Sequence, residues 1–148
     1  MTATQVQKLA ADPARAAQWG EFRTQIAAAT PERKALMLAL QANRHRQQII
    51  QTIDAAGQGH IGGDLSVIDL LTTLFFHTLT IDPLDPTNNA RDRFVLSKGH
   101  CSAALYVTLS NAGFFSTDEL PTFMHEYSAL NGHPNRNKIP GVETNTGP

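Results

Sequence analysis

At 148 residues the chain has the length of about one domain, and 41% hydrophobic with 17% charged residues is ordinary for a globular protein. A formal net charge of -1 gives no basis for binding nucleic acid or an anionic membrane surface. The single cysteine, Cys101, excludes an internal disulfide and fits a reducing compartment. The opening residues Met1–Lys8 lack the apolar core of a signal peptide, and no apolar run nears the length of a membrane span. A cytoplasmic location is the expectation.

Asp12-Pro13 reads as an N-cap followed by a first-turn proline. Trp19, Phe22 and Ile26 then fall on one face of the helix it opens. Residues 1–29 are expected to form a helical extension that packs on something else, a second subunit being one possibility. Thr30-Pro31-Glu32 repeats the start signal, and the helix should run to about Ala56. Leu36, Leu40, Ile49, Ile50 and Ile53 are expected to be its buried side, with His45 solvated in a basic turn.

Four glycines in Gly57–Gly63 predict a flexible loop that admits close backbone approach, with His60 at its centre. From Leu65 to Leu79 the chain is apolar on most helical faces, which predicts a largely buried helix. His77 at its end suits the negative pole of the helix. A proline-containing connector, Ile81–Ala90, follows.

Phe94-Val95-Leu96 reads as a short strand, Ser97–His100 as a turn, and Cys101 onward as a helix. That order defines an α/β fold, and in open sheets ligands bind at such a corner. The helix start would offer backbone N–H groups to an anion, with Lys98 and His100 as charged donors. A surface turn with incidental charges is the alternative. Cys101 fits a small buried helix residue, although a helix N-terminus lowers a thiol pKa.

Gly113 closes that helix, and Ser116–Glu119 is a capping box for another short one. Phe123–Pro148 carries no helix or strand signal and contains Gly132-His133-Pro134 and Gly141–Pro148. A stretch this long without regular structure is often functional. His125 reads as a surface or interface residue.

These segments in this order resemble the transketolase family of thiamine-diphosphate enzymes, over roughly Ala56 to Pro148. The matching motifs are Gly59-His60, Asp92–His100, Gly113-Phe-Phe before Asp118–Leu120, Gly132–Pro134 and Gly141–Pro148. The resemblance implies a mostly helical leading part of a parallel-sheet fold that binds thiamine diphosphate, with few strands in this chain. Residues 30–148 would be an incomplete diphosphate-binding domain.

The resemblance also implies roles. His100 would contact the cofactor diphosphate, with Lys98 a lesser contact, and Gly147 and Pro148 would lie against the cofactor. His60 would line the sugar pocket and assist proton transfer, and His133 would hydrogen-bond the donor ketose. The implied reaction moves a two-carbon ketol unit from a ketose phosphate to an aldose.

Two family parts find no match here: the segment holding the Mg²⁺ that bridges the diphosphate, and the pyrimidine-binding domain. The chain is therefore expected to be inactive alone, as a split subunit or a truncation, and to act in a dimer or heterotetramer with a partner carrying those parts. A dihydroxyacetone synthase, a deoxyxylulose-phosphate synthase or a non-catalytic interaction module are the other readings.

Overall fold

A computed structural model describes residues 8–147. Helix α1 spans Pro13–Ala28, α2 Pro31–Ala56, α3 Ile61–Thr73 and α4 Ser102–Ala112, with a π turn at Leu74–Thr78 and a 3-10 helix at Thr117–Thr122. The start signals act as their chemistry dictates. Asp12 accepts from the Arg15 amide at 3.0 Å and Thr30 from the Arg33 amide at 3.4 Å. Gly57 and Gly113 end α2 and α4 in the left-handed conformation. No helix is long and apolar enough to cross a membrane, among the described residues.

Helix α4 is the centre of the molecule, with every residue from Ser102 to Ser110 buried. It is apolar or small all round, the composition of a helix enclosed by its neighbours. Helices α1, α2 and α3 all pack on it. The α1 extension thus packs on this chain itself. Its Trp19 indole donates to the Phe75 carbonyl at 3.1 Å, and the Arg23 guanidinium donates to the same oxygen at 3.0 Å. That carbonyl lies in the π turn, where the regular ladder is broken, and α1 supplies its partners.

Four sequence expectations need correction. Leu36 and Leu40 are 59% and 53% exposed, and Ile50 is exposed too. The buried face of α2 instead carries Ala42, His45, Ile49 and Thr52. Leu36 precedes His45 by nine residues, two and a half turns, so the two point in opposite directions. His45 is therefore buried, not solvated. The Gln41 amide lies 2.9 Å from its Nε2 and the Thr72 hydroxyl 2.9 Å from its Nδ1. Burial, with help from Arg44, pushes its pKa down to about 3, so it is neutral.

The loop expected across Gly57–Gly63 ends early, because α3 begins at Ile61 and takes in Gly62 and Gly63. Finally, Phe94–Leu96 is no strand, and none occurs among the described residues. The run keeps a strand's alternation, with Val95 exposed and Leu96 buried. A strand also needs a neighbour to complete its ladder, and here there is none.

Phe123–Gly147 has no helix or strand, yet it is anchored throughout. Leu130 and Ile139 are buried, and the Leu9 amide donates to the Lys138 carbonyl at 2.8 Å. Arg91 reaches from the connector to grip Glu143 with bonds of 2.6 and 2.8 Å.

Candidate functional site

His60 sits at the N-cap position of α3, and His100 sits in the turn before α4. Their ring centroids are 4.8 Å apart. His133 arrives from the tail, whose course is fixed by α4. The Ser102 hydroxyl donates to the Gly132 carbonyl at 2.9 Å, and the Tyr106 hydroxyl to the Asn131 carbonyl at 2.7 Å. Ser102 and Tyr106 are four residues apart, so they share a helix face and hold the two carbonyls just before His133.

Gly147 and Gly99 complete the convergence. A Cβ on Gly147 would meet His133 Nε2 at 2.8 Å, and one on Gly99 would meet the Gly147 amide nitrogen at 2.7 Å. The tail therefore lies directly on both the His100 turn and the His133 ring, at a closeness that glycine alone permits. Lys98 belongs to the same corner, since a Cβ on Gly63 of α3 would come within 3.6 Å of its Nζ. The structure thus gathers His60, Lys98, His100, His133 and Gly147. Pro148 lies outside the described residues. His125 is exposed and His77 stands exposed at the end of the π turn, apart from this cluster.

The corner is electropositive. Desolvation lowers the His100 pKa, and positive charge on His60, Lys98 and His133 lowers it further. An anion placed here would relieve that repulsion.

One expected donor is already in use. The Asp64 side chain accepts from the Ala104 amide at 2.8 Å, capping α4 from another helix. Ser102, Ala103 and Ala104 are buried as well, so the α4 start does not face an incoming anion. The groups left at the corner are the histidines, Lys98 and the glycine backbone. Asp64 is only 1% exposed, and its Oδ2 has no hydrogen-bond partner. Burial raises its pKa to about 6, against the Ala104 amide and the charges of His60 and Lys98. Burial and Asp64 likewise raise the Cys101 thiol pKa, so the helix terminus does not activate it.

Asp64, Ser102 and Tyr106 escaped the sequence reading. Asp64 had a legible signal, an acid in the first turn of an apolar helix four residues after His60. The Thr146 hydroxyl is the other buried polar group without a partner among the described residues, and it sits in the segment lying on Gly99. Three basic rings, a lysine, close glycines and the unpartnered Thr146 hydroxyl suit a phosphate-bearing ligand, so the residues present fit a diphosphate cofactor.

Residues 37–148 match the family described as "Transketolase, thiamine diphosphate binding domain", and the chain belongs to that family. It is 46% identical over 110 residues to one of the subunits of apulose-4-phosphate transketolase from Phocaeicola vulgatus, covering 74% of this chain and 39% of that protein. A 6-deoxy-6-sulfo-D-fructose transketolase subunit from a Clostridium species is 38% identical, with 72% and 39% covered. Among solved structures, transketolase from Leishmania mexicana superposes with a TM-score of 0.68 at 34% identity, covering 72% of this chain and 16% of that one. The chain thus spans about two fifths of the length of these curated relatives.

Proposed function

We propose that this chain is the diphosphate-binding part of a transketolase that moves a two-carbon ketol unit from a ketose phosphate to an aldose. The observation that carries the reading is the meeting of four separate segments at one corner, with His60 beside His100 and Gly147 against His133. The family match and the names of the relatives support it.

In this reading His100, with Lys98, donates to the diphosphate oxygens, and Gly147 brings backbone against the cofactor, with Pro148 continuing that contact. His60 and His133 face the sugar, where a neutral imidazole can accept or return a hydroxyl proton near working pH. Thiamine diphosphate, when bound, would supply the electron sink that ketol transfer requires. Asp64 holds the α4 terminus and keeps the His100 turn in place.

Residues 1–29 serve as a helical extension and 30–148 as part of the diphosphate-binding domain. Mg²⁺ is held by donors from further transketolase segments, which also bring the pyrimidine-binding part, within a dimer or heterotetramer. The substrates are sugar phosphates of the pentose-phosphate kind, and the setting is cytoplasmic, without membrane or nucleic acid.

A ketol-transfer assay with thiamine diphosphate and Mg²⁺ tests this. The isolated chain should show no turnover, and mixing with a polypeptide carrying the missing parts should restore it. Robust turnover by the chain alone, or none in an assembled complex, would overturn the reading.

A further inference from the structure

A second basic site lies between the N-terminal segment, the connector and the tail. It is a cavity of about 330 Å³, and its lining includes Lys8, Arg91, Arg93, Arg136 and Glu143. None of these belongs to the histidine corner. Four cations face one carboxylate, and that carboxylate is spent: both Glu143 oxygens are held by Arg91. Arg93 stands 3.9 Å from Glu143 and is half exposed. Among the described residues, Lys8 and Arg136 have no carboxylate within 4 Å.

Like charges gathered in a concave wall repel one another and concentrate counter-anions. The chain keeps them together regardless. The Leu9 amide bonds the Lys138 carbonyl at 2.8 Å, which holds Lys8 beside the tail, and Asn145 accepts from the Arg136 amide at 2.9 Å. The lining has no aromatic ring on which a nucleic-acid base could stack. Thr87 and Asn89 add neutral hydrogen-bonding groups on the connector side. Guanidinium forks pair with the oxygens of a phosphate, and the volume exceeds that of a single ion.

We infer that this cavity binds the phosphate group of a small phosphorylated molecule, independently of the histidine corner. The inference does not depend on the proposed transketolase reaction.

The test is a calorimetric titration of the full chain with inorganic phosphate at fixed ionic strength. Saturable binding is expected, weakened at least about tenfold in a Lys8→Ala, Arg136→Ala double variant. Both side chains are exposed, so the fold should persist, which circular dichroism checks. A His100→Asn variant, weakened at the histidine corner, should still keep a saturable phosphate site, and that site should be the one the Lys8→Ala, Arg136→Ala substitutions weaken. Absence of saturable binding overturns the inference, as does binding lost with His100→Asn and kept in the double variant. Capture by anionic phospholipid vesicles without binding of free phosphate also counts against it, because the cavity would then be reading a lipid headgroup.

Discussion

The Asp64 carboxylate on α3 accepts a hydrogen bond from the Ala104 amide on α4, 40 positions further along the chain. This contact ties the helix behind His60 to the helix behind His100. It places an ionisable group in the core, where its charged form is disfavoured.

The sign of the resulting pH dependence follows. Asp64 has a raised pKa when folded, so its contribution is full at low pH and is lost as pH rises from about 4 through about 6. His45 works the other way: neutral in the fold, it contributes fully above about 6.5, and that contribution is lost as pH falls toward about 3. Each slope is about 1.4 kcal/mol per pH unit, so between about pH 4 and 6 the two oppose each other. Asp64→Asn should expose the His45 slope, and stability should then drop by about 1.4 kcal/mol more per unit on acidification than in the parent. Urea unfolding at several pH values measures this. Parallel profiles for parent and variant would show that Asp64 is not held as described.

Diphosphate binding should take up protons. Neighbouring positive charge and desolvation depress the His100 pKa, and a bound anion raises it again. Affinity should therefore increase as pH falls through the histidine range. Calorimetry in two buffers of unlike ionisation enthalpy gives the proton count, and His100→Asn should remove the part not due to the ligand. An unchanged count in that variant would place the anion elsewhere.

Gly99→Ala should damage the corner without touching a histidine. The new Cβ would collide with the Thr146–Gly147 backbone, which cannot swing aside as a flexible side chain does. A loss of about 1–3 kcal/mol in stability is expected from the overpacking. Diphosphate affinity should drop at least about tenfold as the tail is pushed off. Parental stability and affinity would mean that the tail does not rest on the turn.

Tyr106→Phe removes the donor to the Asn131 carbonyl. About 1 kcal/mol of stability should go with it. The more telling readout is His133, whose resonance should broaden or move because the two carbonyls before it lose one tether. A His133 signal identical to the parent's would detach it from α4.

Much of this fold was legible because its signals are local. Asp12-Pro13 and Thr30-Pro31 start their helices, and Gly57 and Gly113 stop theirs, by chemistry contained in a few residues. The corner was legible too, since His60, Lys98, His100 and His133 stand in recognisable motifs. What escaped was long-range. The burial of His45 depends on Thr72, 27 residues away, and Asp64 has its role only because Ala104 comes to rest beside it. Phe94–Leu96 failed as a strand for the same reason, because pairing is a property of a neighbour, which the run itself does not encode.

The most direct test of the histidine corner is a titration of the full chain with inorganic diphosphate, followed through the histidine ring proton resonances in NMR. The signals of His60, His100 and His133 should move together and saturate at one common concentration, while those of buried His45 and exposed His77 and His125 stay put. Movement of one ring alone, or shifts spread evenly over all six histidines, would contradict the shared anion site at this corner.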